Sequence, residues 1–130
     1  MGVELSYLVW SLVLFLAMVV VQALISVSEH GLVPLAGARD DIKDQKILTQ
    51  RAKRANQNMI ESLLMFAPLV LIAAHLGLFN ETTALGAMLF FWGRLIYVPL
   101  YWFGVPWLRT VAWGVSSLGI VLVLLQVLPL

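Results

Sequence analysis

At 130 residues, 62% hydrophobic and only 12% charged, with a mean hydropathy of +0.95, the chain has more apolar surface than one small soluble domain could cover, so it needs lipid as solvent. The absence of cysteine removes disulfides, thiolate metal ligands and a protein thiol nucleophile together, and any sulfur chemistry must use a thiol brought by a ligand. The net charge of +1 says little as a total; where the charges fall says more.

Four apolar spans follow one another. The first runs from about Leu5 to Val27, interrupted only by Ser6, Ser11, Gln22 and Ser26, and as a helix it crosses roughly 30 Å of hydrocarbon. It exceeds the core of a signal peptide and lacks a basic leading region, so it is expected to stay. Next comes the one sizeable polar region, His30 to Ala55, which carries Arg39, Lys43, Lys46, Arg51, Lys53 and Arg54 among Asp40, Asp41 and Asp44. The second span, about Met59 to Phe79, is expected to have a cytoplasmic helical extension from about residue 44. Gly77 and Asn80 separate it from the third, about Thr83 to Phe103; Gly104 and Pro106 separate that from the fourth, about Trp107 to Leu130. The fold class expected is an all-α integral membrane protein, a single four-helix bundle over 1–130.

This threading puts all eight Lys and Arg on one side. The other side, made of the N-terminus, the Asn80 turn and the C-terminus, has Glu4 and Glu81 but no basic side chain. The positive-inside tendency therefore turns the first loop to the cytoplasm and both termini away from it. The loop cations can also meet anionic lipid headgroups, an attraction that the interspersed aspartates temper. Among Trp10, Trp92, Trp102, Trp107 and Trp113, several lie near span ends, where indole suits the interface.

Two polar stripes stand out. Arg51, Arg54, Asn58 and Glu61 recur at steps of three, four and three along the entry to the second span, and Arg94, Tyr97 and Tyr101 recur at three and four within the third. An arginine inside a span costs about 2.5 to 3.5 kcal/mol on insertion scales, so Arg94 should point into the bundle and meet an acceptor, for which Glu61 is the obvious candidate. One reading is purely structural: Glu61 and Arg94 form an ion pair, and Arg51 and Arg54 anchor at the headgroups. Against it, Asn58, Tyr97 and Tyr101 are more polar groups than one ion pair needs, and together they look like the lining of a site.

In these residues the chain resembles the MAPEG superfamily, membrane-associated proteins in eicosanoid and glutathione metabolism, and more closely its small bacterial branch. The resemblance rests on Arg51-x-x-Arg54-Ala55-x-x-Asn58-x-x-Glu61 followed by Phe66, on Gly93-Arg94 with Tyr101 seven residues later, on Arg109 at the opening of the fourth helix, and on the GARD tetrapeptide from Gly37 to Asp40. It implies a homotrimer in the bacterial inner membrane with glutathione as co-substrate, bound between subunits near the cytoplasmic face, and a lipophilic substrate arriving from the bilayer. Residues matching Arg51, Asn58, Glu61, Tyr97, Tyr101 and Arg109 line that site in the family, and Arg109 matches the arginine assigned to thiol activation. Arg54 and Arg94 share the same stripes and are candidate binding residues with them. Independently, glutathione carries two carboxylates and one ammonium, which call for guanidinium forks, a carboxylate and amide partners.

The chain also departs from the family pattern. Where animal members have basic residues at the end of the first helix it reads SVSEHGLVPLAG, with His30 beside Glu29; Asn56 replaces a common histidine, and Met65 a common proline, with Pro68 three residues on. Substrate type therefore does not carry over. Pro68 should still kink the second helix. His30 and His75 are isolated and make no metal site, and Met59, Met65 and Met88 are most simply packing residues. No phosphate-binding loop, nucleophile elbow or nucleic-acid surface is present in the sequence. Two other classes compete with an enzyme: a catalytically silent trimer that binds lipid or a hydrophobic ligand, and a small multidrug exporter. An exporter would need an acid at mid-depth in the first helix, and Leu5 to Val27 has none.

Overall fold

The computed structural model describes residues 2–30 and 47–129. Over them the protein is all-α, with α1 (Val3–His30), α2 (Ile47–Leu76), α3 (Glu81–Trp102) and α4 (Pro106–Val127). All four are long and apolar enough to cross a membrane. The GARD tetrapeptide, Arg39, Lys43, Lys46 and the expected start of the helical extension near residue 44 lie outside the described residues, as does the side chain of His30.

Local chemistry sets the helix ends. α2 stops short of the expected Phe79 because Gly77 takes a φ of +68° and the Leu78 amide turns back to donate to the Ala73 carbonyl at 2.9 Å. Asn80 then opens α3: its side chain accepts from the Thr83 amide at 3.0 Å, and the Thr83 hydroxyl accepts from the Asn80 amide at 2.8 Å. Pro106, which has no amide hydrogen to leave unpaired, opens α4. Pro68 and Pro99 lie inside α2 and α3.

The helices run alternately up and down, so that one end of the bundle, the loop end, gathers the end of α1, the start of α2 and the α3–α4 turn. Phe66 of α2 and Phe90 of α3 stack at the centre, 4.0 Å between centroids, with Met18, Met59, Val70 and Val123 buried around them. Met65 and Met88, expected as packing residues, face outward with Leu16, Leu24 and Leu64. Because lipid is as apolar as these side chains, close packing and interhelical hydrogen bonds, rather than transfer from water, hold such a bundle. The closest packing is between α3 and α4: a Cβ on Gly86 would lie 2.7 Å from the Gly119 carbonyl oxygen, and one on Gly93 would lie 2.8 Å from the Ser116 nitrogen.

Polar links join the remaining helices. At the far end, the Thr83 hydroxyl lies 2.9 Å from the buried Glu4 carboxylate and can donate to it, and the Asn80 side-chain Nδ2 donates to Gln126 Oε1 at 2.7 Å. Between α1 and α2, Asn56 donates to Gln22 at 2.5 Å and the Thr49 hydroxyl donates to Glu29. The Trp92 indole donates to the Tyr7 hydroxyl at 3.3 Å on the outer face of α1 and α3.

Candidate functional site

Arg94 is the largest fully buried side chain described, with 1% of its surface exposed. Its Nε donates to the Ser116 hydroxyl at 2.9 Å, one terminal nitrogen donates to the Asn58 carbonyl oxygen and the other to the Ser62 hydroxyl, while its plane lies 4.9 Å over the Tyr97 ring. Ser62 in turn donates to the Asn58 backbone carbonyl at 3.0 Å. One guanidinium thus bonds α2 and α4 from α3.

The expected Glu61–Arg94 pair does not form. Glu61 is exposed and accepts from Gln57 at 3.3 Å on its own helix. The reason lies in helix rotation: Ser62 sits one full turn after Asn58 on the face that meets α3, whereas Glu61, a residue earlier, is about 100° away around the helix. Among the described residues, Arg94 has only neutral partners, so its charge is hydrogen-bonded but not cancelled.

Next to this network lies a cleft of about 230 Å³ lined by Asn58, Tyr97, Arg109, Thr110 and Trp113. Arg109 rises from the first turn of α4, half-buried, with its guanidinium 4.8 Å over the Tyr101 ring, and the Tyr101 and Tyr97 rings are 5.5 Å apart. Tyr101 is therefore behind Arg109 and not in the wall of the cleft. The Thr110 hydroxyl donates to the Pro106 carbonyl at 2.9 Å, which commits its proton to its own helix. Two guanidiniums, one in the wall and one just behind it, and no carboxylate suit the cleft to an anionic guest.

Of the eight candidates read from the sequence, Asn58, Arg94, Tyr97, Tyr101 and Arg109 converge here, while Arg51, Arg54 and Glu61 lie away from the cleft within one chain. Arg51 instead closes the C-terminus of α3. It donates to the Trp102 carbonyl at 3.5 Å, and its guanidinium packs under Gly104, whose φ is +72° and where a Cβ would stand 2.7 Å from Cζ. Arg54 is exposed, its Nε 3.4 Å from the Gln50 carbonyl. Sequence reasoning missed Ser62, Ser116, Thr110 and Trp113. Ser62 was legible as the residue one turn after Asn58, and Ser116 as the polar residue seven after Arg109; Trp113 was read only as one of five tryptophans, several of them near span ends.

Comparison with curated proteins and with solved structures yields no match. Comparison with protein families matches residues 7–128 to the MAPEG family. The matched region runs from the second turn of α1 to just past α4 and includes every residue of the cleft, and the chain belongs to the MAPEG family.

Proposed function

We propose that this protein binds glutathione and presents its thiolate to a lipophilic electrophile or hydroperoxide, as a membrane-embedded glutathione-dependent transferase or peroxidase. The observation that carries the reading is the cleft of Asn58, Tyr97 and Arg109 backed by Arg94, which holds two cationic forks and no acid. Membership of a family of membrane glutathione-related enzymes supports it. Arg109 cannot lose a proton at working pH, so its part is electrostatic: it favours thiolate over thiol, and the thiol proton leaves to water. In conjugation, the sulfur then forms a bond to the electrophilic carbon as the leaving group departs. With a hydroperoxide it takes the terminal oxygen as the O–O bond breaks and the alkoxide leaves, to be protonated to the alcohol, and a second glutathione resolves the sulfenic acid to the disulfide and water.

At about 230 Å³ the cleft is below the usual 300 to 1,000 Å³ of ligand sites, so one chain encloses only the reacting end of the tripeptide. We assign the rest of the site to a homotrimer interface, where the exposed Arg54 and Glu61 receive a carboxylate and the ammonium. Charge placement supports a cytoplasmic first loop, with both termini across a bacterial inner membrane.

The three hydrogen bonds that Arg94 makes within one chain favour a second reading, in which the network is structural and the trimer binds lipid or a hydrophobic ligand without turnover. Thermal unfolding of the purified protein separates the two, because a ligand of the folded state raises stability by about 2.7 kcal/mol at a hundred times its Kd. A rise in Tm with millimolar glutathione is expected. An unchanged Tm selects the silent trimer.

A further inference from the structure

Four of the residues that line the cleft already have roles or partners: Asn58 binds Arg94, Tyr97 lies under it, Arg109 is held by Tyr101, and Thr110 is bonded to its own helix. Trp113 is the fifth. It stands one turn beyond Arg109 on the same face of α4, about 6 Å further along the helix axis and away from the loop end. It lines the cleft and is 46% exposed, so the indole is reachable from outside the bundle. Trp107 sits at the turn itself, 83% exposed, where an indole suits the interface, whereas Trp113 lies six residues, about 9 Å, deeper along the helix.

The cleft is therefore graded along α4, from guanidinium and phenol at the loop end to an indole face at the hydrocarbon end. Among the described residues, Trp113 is the one large apolar side chain that lines the cleft. The larger apolar groove between α3 and α4, about 350 Å³ around Ile96, Leu108 and Val111, opens on the opposite side of α4 and shares no residue with the cleft. A guest in that groove is separated from Arg109 by the helix itself.

We propose that Trp113 is the packing surface for the second reactant, and that it selects flat, conjugated or aromatic electrophiles over aliphatic ones. This rests on the glutathione reading above. A rigid ring system gains most from a planar partner in offset or edge-to-face contact, whereas a flexible alkyl chain finds equivalent contact anywhere in lipid. The reactant enters sideways from the bilayer along the exposed edge of the indole, and its electrophilic carbon comes to rest one helical turn from the guanidinium that stabilises the thiolate. For a chlorodinitrobenzene, sulfur adds to the ring carbon bearing chlorine, the nitro groups hold the negative charge, and chloride leaves as the ring recovers aromaticity.

The test compares the parent with Trp113→Ala and Trp113→Phe, each in lipid nanodiscs, using 1-chloro-2,4-dinitrobenzene and 1-iodohexane as electrophiles and the glutathione-induced rise in Tm as an independent readout. Trp113→Ala is expected to raise the KM for the aromatic electrophile about tenfold with kcat within about twofold, and to change the iodoalkane kinetics and the glutathione shift by less than about twofold. Trp113→Phe, which keeps a flat ring, should recover most of the loss. Equal effects on both electrophiles, no effect on either, or a phenylalanine variant no better than alanine would overturn the role of Trp113 while the glutathione reading stands. A parent with no glutathione shift would overturn both.

Discussion

Arg109 is the one guanidinium in the cleft wall whose hydrogens are not committed to a described partner; its plane rests on Tyr101 and leaves its edge for a guest. An opposite charge within about 4 to 6 Å of a sulfur favours its ionised form, so Arg109→Ala should raise the apparent pKa of bound glutathione thiol by about one unit or more. Thiolate absorbance in the ultraviolet, followed against pH, reads this directly, and an unchanged value would reassign Arg109 to lipid anchoring. Arg109→Lys keeps the charge but loses the planar fork that stacks on Tyr101, and should fall between parent and alanine.

Arg94 and Glu61 divide in the opposite way to the one their charges suggest. Arg94→Met removes three hydrogen bonds and leaves Asn58, Ser62 and Ser116 short of a donor inside the bundle, at a cost of about 3 kcal/mol in thermal unfolding. Glu61→Gln, on an exposed carboxylate, should leave stability within about 0.5 kcal/mol and weaken only glutathione binding. A Glu61→Gln loss as large as that of Arg94→Met would mean the two side chains are paired in the assembled protein. The stripes were legible in the sequence because helical spacing fixes which residues share a face. The partner of Arg94 was not, because spacing leaves open how far one helix is rotated against the next, and a turn of about 100° exchanges Glu61 for Ser62.

At the scale of elements, α3 and α4 are joined by backbone approaching backbone. Around Gly86 a side chain would meet the Gly119 carbonyl, which cannot move without shifting α4, and the Val123 side chain, whereas Gly114, also on α4, has nothing within 4 Å. Gly86→Val should therefore separate the pair and destabilise the bundle by at least about 2 kcal/mol, while Gly114→Ala should be neutral or slightly stabilising. Denaturation in mixed micelles checks the contrast. Gly86 and Gly93, seven residues apart, are legible in the sequence as one small-residue face of the third span. Trp113 was not readable as a cleft residue, since a tryptophan a few residues into a span has the same signature whether it faces headgroups or a guest.

At the scale of the whole molecule, the described chain exposes leucines, valines and tryptophans around most of its circumference, while Arg54 and Glu61 stand exposed on α2, away from a cleft too small for a tripeptide. A polar edge of this kind at one end of a lipid-immersed bundle is best covered by further copies. Native mass spectrometry from mild detergent should give three chains per particle, with glutathione retained on the trimer and lost from any monomer. Glutathione retained by the monomer would place the complete site within one chain.

The Arg94 network also bears on how the protein is made. Among the described residues its hydrogen-bond partners are Asn58 and Ser62 from α2 and Ser116 from α4, so the third span reaches the membrane before one of them has been synthesised. That span is the least apolar of the four, with a hydropathy of 1.4 against 1.9 to 2.6 for the others, and it bears the insertion cost of about 2.5 to 3.5 kcal/mol for an arginine at mid-helix. The short turn at Gly104 and the glycine contacts along α3 and α4 allow these two spans to leave the insertion machinery as a preformed hairpin, with Ser116 already on the guanidinium. A nascent chain that ends before Ser116 should leave α3 loosely held in the bilayer and open to quality-control proteases, and a few more residues of synthesis should abolish that sensitivity.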